Sequence, residues 1–348
     1  MDSCKNTTSG DMVYAPVLIP TLCRDEHLIR CIESLKRNTW AKYTDVYVAV
    51  DYPLNEKHWE GYRRVCAYLD GDFPEFASFH VIKRQENYGS SRNMGQLRAE
   101  ILEKYDRFIR TDDDVEFSPN FLEYMDKTLM YFEDDDDVVA VTGYTFPCGW
   151  EASAGSTVIK ERIVAPMWGT GFWKKKYVPL VAYITNGGLI DAFSDPIKRR
   201  RGKEMSRTCQ CEYINAYTSA DPYKSVLTRV TDVSMRMYLG LENKFFAAPV
   251  ESKARNWGND GSGVSCPKID SHGDTSLTYR YCAQPIDSKQ EFQLCVSEDS
   301  FHPENLRRFD DFDKRGLKQR LKPAIRMAML RLLGRKLYTR IVCRAKGK

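Results

Sequence analysis

Arg107-Phe108-Ile109-Arg110-Thr111-Asp112-Asp113-Asp114-Val115-Glu116-Phe117-Ser118-Pro119-Asn120-Phe121 runs from a short apolar strand into three consecutive acids and then into a Ser-Pro helix start. Phe121, Leu122 and Met125 fall on one face of that helix. Three adjacent carboxylates cannot leave water together without a counter-charge, and a hard divalent cation with oxygen ligands is the natural one. Such ions take one or two protein carboxylates and complete their shell with phosphates and water. An acidic run standing alone reads as a solvated turn, and Asp134 to Asp137, which follows a helix end, is read that way. What separates the two runs is the strand in front of the first.

Strand and helix signals alternate from there back toward the N-terminus. Val13 to Ile19 reads as a strand, and Leu28, Ile29, Ile32 and Leu35 recur at helical spacing with Asn38 as a stop. Asp45 to Val50 reads as a buried strand ending at the turn Asp51-Tyr52-Pro53. A helix over Glu56 to Tyr68, a strand over Phe79 to Ile82 and a helix over Ser91 to Leu102 complete the series. The alternation predicts an α/β fold with a mostly parallel sheet and helices on both faces. Ligands of such sheets bind beyond the carboxyl ends of the strands. Arg24, Asp51, the stretch Arg84 to Asn93, and Asp112 to Asp114 each follow a strand. They gather one positive and one negative cluster at a single edge, which suits a metal together with a phosphorylated ligand. After a further strand near Val138 to Tyr144 the chain becomes loop-rich and aromatic, with Trp168 to Trp173 and the basic run Lys174 to Lys176.

The 348 residues are 42% hydrophobic and 29% charged, enough to bury a large core. The net charge of +4 conceals an asymmetry. Residues 314 to 348 hold 13 Lys and Arg and no acid, so the remaining 313 residues hold 39 basic and 48 acidic residues, a net of −9. An acidic body argues against nucleic acid as a partner. Eleven scattered cysteines and the lack of a leader-like start point to a reduced, cytoplasmic protein. Cys209 and Cys211 lack the second pair of a zinc site.

Asp112 to Met125 resembles the metal-binding segment of the alpha-mannoside beta-1,2-N-acetylglucosaminyltransferase I family, within the glycosyltransferases of GT-A fold. The resemblance implies that Asp114 binds manganese or magnesium and that Asp112 and Asp113 face the nucleotide sugar. It also implies that Arg24 contacts the nucleotide and that Asp51 reads its base. Asn87-Tyr88-Gly89 followed by Ser91-Arg92-Asn93 is similar to the Asn-x-Gly and Ala-Arg-Asn signature of bacterial family-2-like sugar transferases, which puts Asn87 and Arg92 at the nucleotide. Val230 to Arg236 resembles their Ser-Trp-Asp segment, making Asp232 the candidate base, with Asp195 as second choice and a plain helix N-cap as the structural alternative for Asp232. Asn256 to Gly263 resembles their closing loop, but Ser265 stands where a histidine is usual, leaving His272 as the candidate third metal ligand. Trp168, Trp173 and Trp257 are read either as sugar-stacking rings or as core aromatics.

These readings divide the chain into a transferase domain over residues 1 to 303 and a basic helical tail over 304 to 348. The domain has a nucleotide-sugar half (13 to 144) and an acceptor-facing half (145 to 303). The tail alternates Leu317, Leu321, Ile325, Leu332 and Leu333 with Lys and Arg, and Pro323 and Gly334 interrupt it. It is read as an amphipathic helix for an anionic cytoplasmic membrane surface, or else as a helix docked on the acidic body. The expected function is metal-dependent, inverting transfer from a nucleotide-diphospho sugar, a UDP-sugar by resemblance, to a glycan or lipid-linked acceptor in surface polysaccharide synthesis. The competing readings are a nucleotidyltransferase, opposed by the glycine-free turn Pro20 to Cys23, and a non-catalytic glycan-binding protein at the membrane.

Overall fold

Alternate residues of the first strands enter opposite cores, and this period of two builds the centre of the molecule. Val17, Ile19, Val46, Val48, Val50 and Ile109 face one core. Leu18, Tyr47, Ala49 and Phe108 face the other. Burying one such aliphatic side chain contributes about 1.5–3 kcal/mol, so a one-residue slip of any central strand would be costly. The computed structural model describes residues 12–163, 167–258, 260, 262, 284–297, 302–313 and 317–345.

The strands are β1 (Val17–Thr21), β2 (Asp45–Val50), β3 (Ser78–Lys83), β4 (Arg107–Arg110), β5 (Val115–Phe117), β6 (Val138–Thr142), β7 (Val158–Glu161), β8 (Thr170–Trp173), β9 (Phe245–Pro249) and β10 (Ala254–Asn256). Eight of them form one sheet in the order β3-β2-β1-β4-β8-β6-β9-β7, while β5 and β10 pair separately. β3, β2, β1 and β4 run parallel, β8 runs antiparallel to both β4 and β6, β9 follows β6, and β7 opposes β9. Six strands therefore share one direction, giving a mixed α/β fold with a mostly parallel sheet. The first strand begins later than its apolar run, because pairing starts at Val17 opposite Val46 and Val13 is exposed.

Helices α1 (Asp25–Lys36), α2 (Glu56–Leu69) and α4 (Phe121–Tyr131) cover one face of the sheet. The other face carries α3 (Gly89–Leu102), α5 (Lys174–Thr185), α6 (Gly188–Asp191), α8 (Arg207–Tyr217) and α9 (Asp232–Glu242), with α7 (Pro196–Glu204) beyond them. The acidic turn at 134–137 is pinned by lysines: Lys175 pairs with Asp134 at 2.9 Å and Lys160 with Asp135 at 2.6 Å. Lys176 donates to the carbonyls of Phe132, Asp135 and Val138. The basic run 174–176 is thus spent on this turn and on the Leu102 carbonyl.

Helices α10 (Pro303–Asp313) and α11 (Leu317–Ala345) follow. Asp310 accepts from the backbone N–H groups of Arg207 and Thr208, closing the N-terminus of α8. Tyr338 of α11 is fully buried and donates to the Thr218 carbonyl at 2.8 Å, closing the other end. The tail stays helical through Pro323 and kinks at Gly334, whose φ of 69° an L side chain would resist.

Candidate active site

From β1 the chain winds outward to β2 and β3, then returns to the opposite side of β1 as β4. The crevice beyond the carboxyl ends of β1 and β4 is therefore the switch point where open α/β sheets take ligands. Arg24 stands there as the N-cap residue of α1 and makes no side-chain capping bond. A cation at a helix N-terminus opposes the macrodipole and needs compensation. It finds it across the crevice: the guanidinium bonds Asp113, and its Nη1 lies 2.8 Å from Oδ2 of Asp114. Thr21, the last residue of β1, donates its hydroxyl to Asp113 at 2.8 Å. Gly61 of α2 lets that helix press on the Arg24 turn, since a Cβ there would stand 2.1 Å from the Cys23 carbonyl oxygen.

A second segment, remote in sequence, braces the acids. β10 pairs antiparallel with β5, setting Asn256 opposite Val115. Asn256 Nδ2 donates to Asp114 Oδ1 at 2.7 Å, its own Oδ1 accepts from the Gly258 N–H at 2.8 Å, and the Trp257 N–H bonds the Asp114 carbonyl at 2.8 Å. Gly258 lies so close that a Cβ would be 1.9 Å from Asp114 Oδ2. Glu116 accepts from Arg255 Nε at 2.9 Å and Trp257 Nε1 at 2.7 Å. Burial would raise the Glu116 carboxyl, but those two bonds hold it below its ordinary value. His27 of α1 meets Asp260 at 2.9 Å, so residues beyond β10 also reach the helix that carries Arg24.

Asp232 closes the cluster from the other face. It is the first residue of α9, and the cap is Thr231, whose hydroxyl accepts from the Ser234 N–H in a capping box. The N-cap alternative for Asp232 is thereby corrected: the capping duty belongs to Thr231. Loss of water pushes Asp232 up to about 6, with Asp112 adding to the rise and Arg110 and Arg236 opposing it. Asp113 is likewise pushed to about 6 by burial, with Arg24 pulling down and Asp114 pushing up. Asp112 is raised by burial against the pull of Arg110, which lies 3.2 Å away.

Asp112, Asp113, Asp114 and Asp232 bring four negative charges, and Arg24 and Arg110 return two. The deficit, the raised carboxyls and the hard oxygen donors all fit a divalent cation at this edge. Among the described residues no three His, Cys, Asp or Glu side chains form a ready cage. A site of this kind would draw its remaining ligands from a diphosphate and water.

The side chains of the other expected residues that the structure describes are held by other partners. Asp51 is 4% exposed and accepts from the N–H groups of Tyr52, Tyr88 and Gly89, while Asn87 donates to the Tyr52 carbonyl at 2.6 Å. Together they clasp the turn that starts α3. Arg92 points outward, 3.1 Å from Glu86 and 3.7 Å over the Tyr88 ring, with its side chain 60% exposed. Asp195 caps α7, accepting from the N–H groups of Ile197 and Lys198. It lines an open groove of about 610 Å³ with Tyr183 and Lys198, and no residue of the acidic cluster lines that groove. Its bond from Lys198 holds it below its usual value. His272 lies outside the described residues. Trp173 is a core aromatic, 1% exposed and bonded to the Leu129 carbonyl, and Trp168 packs edge-on against Tyr144. Trp257 is engaged by the guanidinium groups of Arg30 and Arg255, 4.8 and 4.9 Å from its ring centroid. Arg110 and Thr21 are not named as site residues by the sequence, although each is a polar residue ending an apolar strand; Asn256 and Gly258 belong to the segment that resembles a closing loop, without a role of their own there.

No family model matches this sequence, and no curated protein does. Among solved structures, the mannosyltransferase PcManGT from Pyrobaculum calidifontis, in complex with GDP-Man and Mn2+, aligns over 93% of this chain and 79% of its own, with 11% identity and a TM-score of 0.41. TarS of S. aureus aligns over 48% of this chain with 13% identity and a TM-score of 0.32, and a TarS complex with UDP-GlcNAc over 47% with 14% identity and a TM-score of 0.31. This chain spans 30% and 46% of the length of those two TarS chains.

Proposed function

We propose that this protein is a metal-dependent, inverting glycosyltransferase of GT-A type that moves a sugar from a nucleotide-diphospho sugar to a glycan or lipid-linked acceptor. The observation that carries the reading is the meeting of Arg24, Asp113 and Asp114 at the switch point, with Asp232 brought to the same edge by α9. A UDP-sugar is the proposed donor, surface polysaccharide the proposed product, and the cytoplasmic face of a membrane the proposed location.

In this reading Asp114, with Asp112 and Asp113 beside it, would hold manganese or magnesium, which supplies charge stabilisation to the departing diphosphate. Arg24 offers its guanidinium to the diphosphate oxygens, a partner it fits in charge and shape. Asn256 keeps Asp114 aimed into the crevice. Asp232 takes the proton of the acceptor hydroxyl as that oxygen bonds the anomeric carbon. The bond from the anomeric carbon to the diphosphate oxygen breaks, and its electron pair leaves with the nucleotide. The raised value of Asp232 leaves it ionised at neutral pH and basic enough to accept that proton.

A thermal-shift panel of nucleotide sugars with and without manganese tests this. A donor at about a hundred times its Kd stabilises the folded chain by about 2.7 kcal/mol, a shift of a few degrees. The expected result is a shift with one donor that requires the metal and disappears in Asp114→Ala. No shift with any donor, or the same shift in Asp114→Ala, rejects the proposal.

A further inference from the structure

The sequence left the tail with two fates, packing on the acidic body or facing a membrane. The structure divides its surface between two tasks. The inner face of α11 is committed to α8: Tyr338 is buried against the Thr218 carbonyl, and Arg335 donates to the Tyr217 carbonyl at 2.9 Å while lying 4.7 Å from that ring. These contacts are hydrogen bonds to helix-end carbonyls and ring packing, not charge pairing with the body.

The outer face holds Leu321, Ile325 and Leu332 at i, i+4 and i+11, and Leu337 and Ile341 are also exposed beyond the kink at Gly334. Leu332 is 84% exposed. Lys322 and Arg331 flank this stripe, Lys336, Arg340 and Arg344 follow the kink, and no ion pair of any of them is seen among the described residues. The net −9 of the body is therefore not what these cations serve.

We infer that the outer face of α11 docks on an anionic lipid bilayer. A surface that is both apolar and strongly cationic calls for a partner that is both apolar and anionic, which describes the headgroup and acyl boundary of an acidic membrane. Nucleic acid would satisfy the cations and leave the leucines in water. A second copy would satisfy the leucines and bring two segments with 13 cations each into contact. No described helix is long and apolar enough to cross a membrane, so α11 lies along the surface. It is held there by its inner contacts with α8.

The test uses the full chain and vesicles of phosphatidylcholine with and without phosphatidylglycerol, in the absence of donor and metal, so that its outcome is independent of sugar transfer. Sedimentation is expected with the anionic vesicles only, falling steeply with salt. The exposed pair Ile325→Asp and Leu332→Asp should weaken binding about tenfold or more at unchanged melting temperature, and Arg331→Glu with Lys336→Glu should do the same. Equal binding to neutral vesicles, no binding to anionic ones, or wild-type binding by both double variants overturns the inference. So does light scattering that finds a lipid-free dimer dissolved by Leu332→Asp.

Discussion

Adding one methyl group at Gly258 would set a carbon 1.9 Å from Oδ2 of Asp114, where carbon and oxygen need at least 3.0 Å. The backbone there is not left-handed, so Gly258→Ala is a purely steric perturbation that leaves every charge in place. Either the loop or the carboxylate must retreat by about 1 Å, because both sides of the contact are held. Asp114 is tied by Asn256 at 2.7 Å and Arg24 at 2.8 Å. Losing one of these charge-assisted bonds costs about 1.5–3 kcal/mol of stability. Misplacing a catalytic ligand by about 1 Å costs about a hundredfold in rate. The assay pairs thermal melts with manganese-stimulated donor turnover, with Gly95→Ala as control because its nearest neighbour atom would be 3.9 Å away. If Gly258→Ala turns over donor at the wild-type rate, Asp114 is not the group that the loop positions for chemistry.

Two further outcomes follow from the carboxyls. Asp232→Asn should cut transfer by about 10²–10⁴ while keeping the donor-induced thermal shift, and wild-type transfer should decline as pH falls through about 6, where Asp232 takes up its proton; an unchanged rate in the variant excludes it as base. Asp126 accepts from the Ala15 N–H at 2.9 Å, but its Oδ2 is buried without a partner, and burial pushes it up to about 8. Between its unfolded value near 4 and about 8 the folded chain holds more protons than the unfolded one, so stability falls as pH rises across that window. Asp126→Asn, which keeps the Ala15 bond, should flatten that fall in denaturant titrations, and parallel pH profiles for the two proteins would contradict it.

The parallel half of the sheet was legible because each strand there is a short apolar run ended by a charged or turn residue. β8 was not. Thr170 and Gly171 interrupt its apolar pattern, and Gly171 is required by packing, since a Cβ would stand 2.7 Å from the Met125 methyl. A strand that needs glycine for its neighbour looks like a loop in isolation. Arg24, Asp113 and Asp114 were readable for the opposite reason, as each owes its place to the strand immediately before it. Asn256 acts on a carboxylate 142 residues earlier through an antiparallel pairing that no local pattern announces. At Asp232 the sequence suggested a helix N-cap, and the structure gives that duty to Thr231, whose hydroxyl accepts from the Ser234 N–H. Arg92 illustrates the limit of motif position, for its side chain takes the Tyr88 ring and Glu86 instead of the crevice.

The pairing of β5 with β10 also orders events in time. Chains are made from the N-terminus and fold as they lengthen, so Arg24 and the acidic triplet emerge long before their brace. Until residue 258 has been added, Asp114 has neither Asn256 nor the covering glycine. Arg24, made before the triplet, is the cation that faces those acids in the folded chain, so charge pairing at this edge does not wait for β10 to be made.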